Sequence, residues 1–528
     1  MGINMIKLIP APKEYTKKSG SFKLDDALKI NSEFDLPLLK LEQSDDANII
    51  IKKDDSLSPE AYTMDISESE IVIRSSDKIG AYYAFQSLRQ LSRFELGGRE
   101  VECCSIVDAP KYKWRGLELD ESRHFWGKDN VKHLLDQMFM VKLNVFHWHL
   151  TDDTGWRIEI KKYPKLTEIG SVRKGTQVGG WHSKEMINEE YSGFYTQEDI
   201  KEIIAYAMER GIMIVPEIDF PAHSAAALAS YPYLACREIE TEVPGYFGGF
   251  IPEFVHKNFS WNRTLCLGKD KVIEFIFDVI DEVCDLFPAP YFHIGGDETP
   301  INEWKKCPHC QKVIKENNLE NEYGLQGWLN NKVLEHLKTK GKQLIGWNEV
   351  LKTKNIDKSV IAQYWTPQRD KNAEKHANTG GSIILSNHQS FYFDMPYAMY
   401  PVSCTYNYSP EKFGIKKESL PNVLGYEGEL WTEWIGTVER LQLLSHPRME
   451  ALSEVAWSPN KVRSFSEFAR VFDEHKPLLE KMGIVYASNG VSMPKGLIHR
   501  SKIKKLFHKG DPELEDKLNK EYLVKEKV

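Results

Sequence analysis

Residues 291–300 read YFHIGGDETP. The apolar side chains of Tyr291, Phe292 and Ile294 predict a short buried strand. Gly295 and Gly296 follow it, and two adjacent carboxylates, Asp297 and Glu298, follow them. Successive side chains of a strand point to opposite faces. Two neighbouring carboxylates can therefore serve one pocket only if the backbone leaves the strand path there, and a Gly-Gly pair permits that. An acidic pair after a strand is more commonly a solvated loop or a helix cap. The rest of the chain decides between the two readings.

On either side of this stretch, apolar runs of strand length alternate with helical patterns. The strand candidates are 114–120, 143–150, 212–218, 290–294, 343–347, 360–365, 382–386 and 423–431. Helices are expected at 198–210, 272–287 and 323–339; the second carries Ile273, Ile276, Ile280, Val283 and Phe287 on one stripe. Thr196 with Asp199 predicts a capping box at the start of the first. Eight strands alternating with helices imply a parallel sheet, and eight is the count of a (β/α)8 TIM barrel. A doubly wound open sheet is the alternative, but no GxGxxG or GxxxxGK[ST] follows an early strand.

The expected fold class is therefore α/β. A small α+β accessory unit (1–108) precedes the barrel (109–460), and a helical extension and tail (461–528) follow it. The first unit shows strand patterns at 49–51, 62–66 and 71–73 and a helix over 81–91. Residues 107–110, ending in Pro110, read as a linker. Residues 498–528, rich in Lys and Glu, read as a peripheral tail.

Lys and Arg number 69 against 77 Asp and Glu, a net charge of −8, which disfavours a nucleic-acid binder. No apolar run reaches the ~18 residues of a membrane span, and MGINMIKLIPAP has no apolar signal core. The compartment is left open: periplasmic or secreted if a signal was removed, cytoplasmic otherwise. Oligomeric state is also left open. The eight cysteines are too sparse for a disulfide scaffold. Cys307-Pro-His-Cys310 is a CxxC with no second CxxC to complete a zinc site. Two free thiols or a local disulfide are expected there, ahead of a metal or redox pair. No metal and no cofactor are assigned.

Barrel enzymes carry their chemistry at the C-terminal ends of the strands. The residues collected there are Arg115, Asp120 and Arg123; His147, His149, Asp152, Asp153 and Trp156; Glu217, Asp219 and His223; His293, Asp297 and Glu298; Trp347 and Glu349; Trp365; Tyr392 and Asp394; Trp431 and Glu433. Any one could be core packing or a structural ion pair. His147 and His149 share a face and could bind a metal with Asp152. Taken together, acids beside aromatic walls suit glycoside hydrolysis, in which a glycosidic oxygen takes a proton and the anomeric carbon gains positive charge.

The stretches WRGLELDESRHF, LNVFHWHLTDDTGWRIEI, GFYTQEDI, VPEIDFPAHS, HIGGDE, GWNEV, YFD and LWTEW run in order over about 110–460. Together they resemble the β-N-acetylhexosaminidases of glycoside hydrolase family 20, with HIGGDE the sharpest match. The resemblance implies an exo-acting, retaining enzyme in which the substrate's own 2-acetamido oxygen is the nucleophile. It implies that Glu298 protonates the leaving oxygen and later activates water, its pKa raised by burial near Asp297. Asp297 would hold the acetamide N–H, and Tyr392 would donate to the acetamide oxygen. Trp347, Trp365 and Trp431 would wall the N-acetyl pocket, and Arg115, Asp394 and Glu433 would bind hydroxyls. His149, Asp152, His223 and His293 would support Glu298. The implied partner is an N-acetylated carbohydrate. The sequence departs from the family pattern at Asn348, where Asp is common, and at Ala222, where Gly is common; both bear on specificity. The variable 230–264 segment is expected to shape the leaving-group side. A sugar-binding protein without catalysis is the reading from another class, and the intact acidic pair argues against it.

Overall fold

The structure is a computed structural model that describes residues 6–180, 183–247, 263–353, 356–366, 371–458 and 463–509. All eight expected barrel strands form, and they close into one parallel barrel. Its strands, one to eight, are Trp114–Asp120, Val145–His149, Met213–Glu217, Tyr291–His293, Gln343–Trp347, Ile361–Tyr364, Ile383–Leu385 and Val423–Gly428. Strand eight pairs with strand one through Gly425–Trp114 to Gly428–Leu117, which completes the ring. Closure leaves no edge, so the open-sheet alternative is excluded.

The expected helices appear at Gln197–Glu209, Asp270–Leu286 and Glu322–Thr339. The first begins with the anticipated capping box between Thr196 and Asp199. The lower barrel interior is apolar, filled by Trp114, Val145, Val215, Ala289, Ile345, Ile361 and Ile384. Above this plug lies a polar layer of His147, Glu217, Gln363, Glu427 and Glu429, all buried. His147 Nδ1 meets Glu427 Oε1 at 2.8 Å. Gln363 Nε2 donates to Glu427 Oε1 at 2.6 Å and to Glu429 Oε1 at 3.1 Å. These bonds let polar groups stand inside a barrel and carry the site above them, although Gln363 Oε1 and Glu429 Oε2 have no hydrogen-bond partner among the described residues.

The N-terminal unit is a seven-stranded sheet packed against the helix Lys78–Ser92, which is capped by Asp77. Two long strands, Glu14–Lys23 and Glu100–Asp108, add to the three expected ones. The expected linker at 107–110 is corrected in part. Asp108 ends a strand and is buried, accepting from Tyr62 Oη (2.8 Å), Trp457 Nε1 (2.8 Å) and Lys142 Nζ (3.0 Å).

This junction also corrects Arg115. It lies at the start of strand one, so it faces the bottom of the barrel, away from the pocket. Its side chain is 0% exposed and pairs with Glu60 at 2.6 Å, and its guanidinium stacks on Trp457. Arg115 locks the accessory sheet to the barrel; it does not bind a ligand in the pocket. Arg115→Met is expected to lower stability by about 3 kcal/mol, because Glu60 loses its partner, with KM unchanged. Arg123→Met, beyond the other end of the strand, should raise KM and also lower stability, because Asp120, Asp152 and Glu433 lose their cation. Thermal unfolding and steady-state kinetics on both variants check the pair.

The region after the last strand is helical, beginning with Val438–Ser445, Arg448–Trp457 and Phe465–Lys481. The chain end is not wholly a peripheral tail. Leu497–Lys509 is helical, and Phe507 reaches the mouth of the barrel pocket. Residues 510–528 of that expected tail lie outside the described residues.

Candidate active site

A cavity of about 180 Å³ opens at the C-terminal ends of the strands. Its lining includes Arg123, Asp297, Glu298, Trp365, Tyr392 and Asp394, with Trp431 and Glu433 opposite and Met395, Trp434 and Phe507 at the rim.

The acidic pair is presented by a strand end that leaves the strand path, as the two glycines predict. Gly295 and Gly296 have φ of +68° and +89°. A Cβ on Gly295 would lie 2.1 Å from Asp219 Oδ1, so only glycine fits there. Gly296 N–H donates to that same Asp219 oxygen (3.1 Å), and Gln326 Nε2 donates to the Gly296 carbonyl (2.6 Å). Glu298 itself has φ +43°, a left-handed conformation that non-glycine residues rarely adopt. Such strain persists only where the surroundings enforce it, and it is commonest at functional sites.

The two carboxylates differ in environment. Asp297 is 16% exposed at its side chain and Glu298 52%. The burial expected of Glu298 thus falls on Asp297. Burial, followed by the charges of Glu298, Glu217 and Asp152, pushes the Asp297 carboxyl up to about 6 against the opposing pull of His223. Asp297 Oδ1 is buried and has no hydrogen-bond partner among the described residues. The same holds for Asp394 Oδ1 on the far wall. Buried acceptors left open in this way are ready for a ligand donor.

His223 Nδ1 contacts Asp152 Oδ1 (3.2 Å) and Asp153 Oδ2 (3.4 Å); its Nε2 faces Asp297 Oδ2 (3.7 Å) and Glu298 Oε2 (3.9 Å). Burial opposes its protonation, but Asp152 and Asp297 outweigh burial and hold the imidazole pKa well above its ordinary value. Arg263 reaches Asp153 at 3.3 Å and steadies this arm. His149 bridges Glu217 (2.6 Å) and Asp152 (3.2 Å), which connects the polar layer to the pocket. His293 sits below, its Nδ1 3.0 Å from Gly295 N and 3.1 Å from Glu217 Oε1. The four expected supporting residues therefore form one network, but only His223 touches the acidic pair. His147 and His149 direct their ring nitrogens at Glu427, Glu217 and Asp152.

The walls are aromatic. Trp365 stacks parallel to Tyr392, with centroids 6.0 Å apart and planes at 18°. Its indole N–H donates to Glu349 (2.9 Å), and Asn348 Oδ1 accepts from the Trp365 main chain (3.0 Å). The amide at the departed position 348 thus fixes a wall residue. Trp347 is 1% exposed and lies behind Trp431, its N–H donating to Glu217. It seals the floor and contributes no open wall. Arg123 takes the place expected for Arg115. It reaches Asp152 at 2.8 Å, Asp120 at 3.2 Å and Glu433 at 3.6 Å, and it lies over the Trp431 ring. The two arginines stand eight residues apart in one motif, and only strand direction tells them apart.

Phe507 was beyond sequence reasoning, because nothing in its own segment signals a contact with a site so distant in the chain. Glu427 and Glu429 carried a legible signal: with Trp431 and Glu433 they recur at every second position through the expected strand 423–431 and just past it. Residues 248–262 of the variable segment lie outside the described residues.

Fold and site define a (β/α)8-barrel protein with a carboxylate-bearing, aromatic-walled pocket above the strand ends. The chain belongs to glycosyl hydrolase family 20: the model of its catalytic domain matches residues 112–460, and that of its domain 2 matches residues 5–109. The chain is 35% identical to a beta-hexosaminidase of Porphyromonas gingivalis over 91% of its own length and 64% of that protein's. Among solved structures, the GH20 exo beta-N-acetylglucosaminidase of Vibrio harveyi in complex with N-acetylglucosamine superposes with a TM-score of 0.79 at 30% identity, covering 92% of this chain and 78% of that one. The beta-N-acetylhexosaminidase of Bacteroides fragilis gives 0.77 at 31% identity, covering 91% and 96%. Among the described residues, no helix is long and apolar enough to cross a membrane.

Proposed function

We propose that this chain is an exo-acting, retaining β-N-acetylhexosaminidase that releases terminal β-linked GlcNAc or GalNAc, with the substrate's acetamide as nucleophile. The observation that carries the reading is the Asp297–Glu298 pair at one pocket. Both carboxylates face the same edge of His223, with one oxygen of each within 4.8 Å of the other. A conventional retaining pair must instead flank the anomeric carbon from opposite sides. Two acids on one side suit a division of labour. Glu298, exposed toward the opening, gives its proton to the leaving oxygen and later draws one from water. Asp297, buried with Oδ1 open, accepts the acetamide N–H and aims the carbonyl oxygen at the anomeric carbon.

That attack closes a five-membered oxazolinium ring. Its positive charge develops beside Asp297, whose carboxylate stabilises it. Tyr392 donates to the acetamide oxygen, and burial keeps its phenol protonated. Arg123, Asp394 and Glu433 grip hydroxyls. Trp365 and Trp431 lie against the apolar faces of the sugar, with Trp347 as floor. The cavity is smaller than the ~300–1,000 Å³ of drug-sized pockets, which favours one terminal ring over an internal chain segment. Similarity to the exo beta-N-acetylglucosaminidase of Vibrio harveyi and to the beta-hexosaminidase of Porphyromonas gingivalis supports the same substrate class.

An aryl N-acetyl-β-glucosaminide and the matching aryl β-glucoside test this reading. The first should be cleaved at least about 10³-fold faster, since only it carries the internal nucleophile, whose effective molarity is large. Equal rates would defeat substrate assistance. A trapped 2-fluoroglycosyl adduct would point to a protein nucleophile instead.

A further inference from the structure

Four cysteines meet outside the pocket lining. The CxxC of residues 307–310 is joined in space by two single cysteines far from it in sequence, Cys236 and Cys266. The sulfurs of Cys236 and Cys310 are 3.8 Å apart, those of Cys266 and Cys307 3.6 Å, and those of Cys266 and Cys310 3.7 Å. All four lie within 4.8 Å of one another, and all four are free thiols. A tetrahedron of thiolates about Zn²⁺ at ~2.3 Å has sulfur–sulfur edges of about 3.8 Å.

The surroundings are built for this meeting. Ala235 and Leu265 pair as an antiparallel bridge, and Cys266 N–H donates to the Leu234 carbonyl (2.8 Å), so Cys236 and Cys266 come from two laced segments. A Cβ on Gly268 would lie 2.3 Å from the Cys310 main-chain nitrogen, so the close approach of that loop to the CxxC requires glycine. Cys307 occupies the N-cap of the helix Pro308–Glu316, where the helix dipole favours negative sulfur. Lys269 and Arg237 stand next to the cluster in the chain. Lys269 Nζ bonds the Ala235 carbonyl (2.7 Å), and Arg237 makes a two-pronged pair with Glu303 (2.7 and 2.8 Å). Lys269 Nζ also pairs with Glu238 at 3.0 Å, so both cations brace the segments that carry Cys236 and Cys266. His309, exposed between the two cysteines, is not part of the cluster.

We propose that Cys236, Cys266, Cys307 and Cys310 form a tetrathiolate Zn²⁺ site with a structural role. Four cysteines leave no open coordination position, so the site is closed, as structural zinc sites are. It ties the loop after strand three to the loop after strand four. Cys266 lies three residues beyond Arg263, and Cys307 nine residues beyond Glu298. The metal thus clamps the two segments that carry the His223 arm and the acidic pair. The site stands independently of the sugar reading, since it rests on sulfur geometry alone.

Metal analysis of the full-length protein, purified with reductant and dialysed against metal-free buffer, tests it. The expected result is about one zinc per chain, released by an organomercurial in step with four thiols. Cobalt(II) exchange should give an intense thiolate charge-transfer band and the red-region absorption of a tetrahedral ion. Cys236→Ser and the double variant Cys307→Ser/Cys310→Ser should lose the metal, and stripping the parent should lower its Tm by on the order of 5–10 °C. Should the variants fail to fold, release and cobalt spectra on the parent still decide. Recovery of these four cysteines as disulfides, or of metal-free protein with four free thiols that takes up neither zinc nor cobalt, would overturn the site.

Discussion

Glu298→Gln is expected to lower kcat for an N-acetylated disaccharide by about three to four orders of magnitude, the range of a positioned general acid. Glutamine keeps the size of the side chain and can share the strained φ of +43° at this position, so the fold should hold. The residue is half-exposed, and its replacement leaves no buried charge unpaired. The loss should depend on the leaving group. An aryl glycoside with an acidic phenol needs little protonation, so its first step should suffer much less than that of a sugar aglycone. Thermal unfolding and a leaving-group series on the parent and the variant check this. A uniform loss across the series would remove Glu298 from the proton-donor role.

Asp297→Asn should separate stability from activity in opposite directions. Asparagine cannot carry the charge that faces the oxazolinium, and it offers an N–H where an acceptor is wanted, so kcat/KM should fall by roughly 10²–10³-fold. In the parent, kcat/KM should drop on the acid side as Asp297 protonates near about 6, and the variant should lack that limb. The stability effect has the other sign. The folded-state carboxyl is raised from 3.8 to about 6, so the fold favours its neutral form. That contribution is present below pH 4 and is lost as pH rises through 6. An amide stays neutral throughout. The variant should therefore match the parent near pH 4 and exceed it at pH 8, by on the order of 2–3 kcal/mol. Denaturation at the two pH values, beside the pH–rate profile, provides the check. A variant that is no more stable at pH 8 would mean that Asp297 carries no burial strain.

The two variants probe neighbours that the backbone has made different. Glu298 faces the opening and Asp297 faces the buried floor, although they are adjacent and carry the same chemical group. The difference comes from Gly295 and Gly296, whose positive φ values turn the chain, and from Asp219, which holds the turn through the Gly296 N–H. Burying an acid beside other acids costs stability, and the function assigned to Asp297 needs that placement.

Much of this was legible locally. Eight apolar runs separated by helical patterns predict a closed parallel barrel, because strand and helix periodicity are properties of short windows. The acidic pair, the two glycines before it, and Trp365, Tyr392 and Trp431 could be placed at strand ends for the same reason. Glu298 burial could not be read, since exposure depends on how neighbouring loops pack. Arg115 and Arg123 sit in one motif, and which of them faces the pocket depends on the direction of strand one within the assembled barrel. Arg115 lies at the strand start and was claimed by Glu60 of the accessory sheet; Arg123 lies beyond the strand end and was claimed by Asp152.

The sequence by itself determined the barrel, its accessory sheet and the identity of the acidic pair, because those follow from periodicity and contiguous motifs. Tertiary structure alone decided the rest. It brought Cys236 and Cys266 to the CxxC at 307–310, set Phe507 at the pocket rim and put Arg115 at the domain junction. Each of these is a proximity between residues distant in the chain, and chain order carries no record of distance once the backbone has folded back on itself.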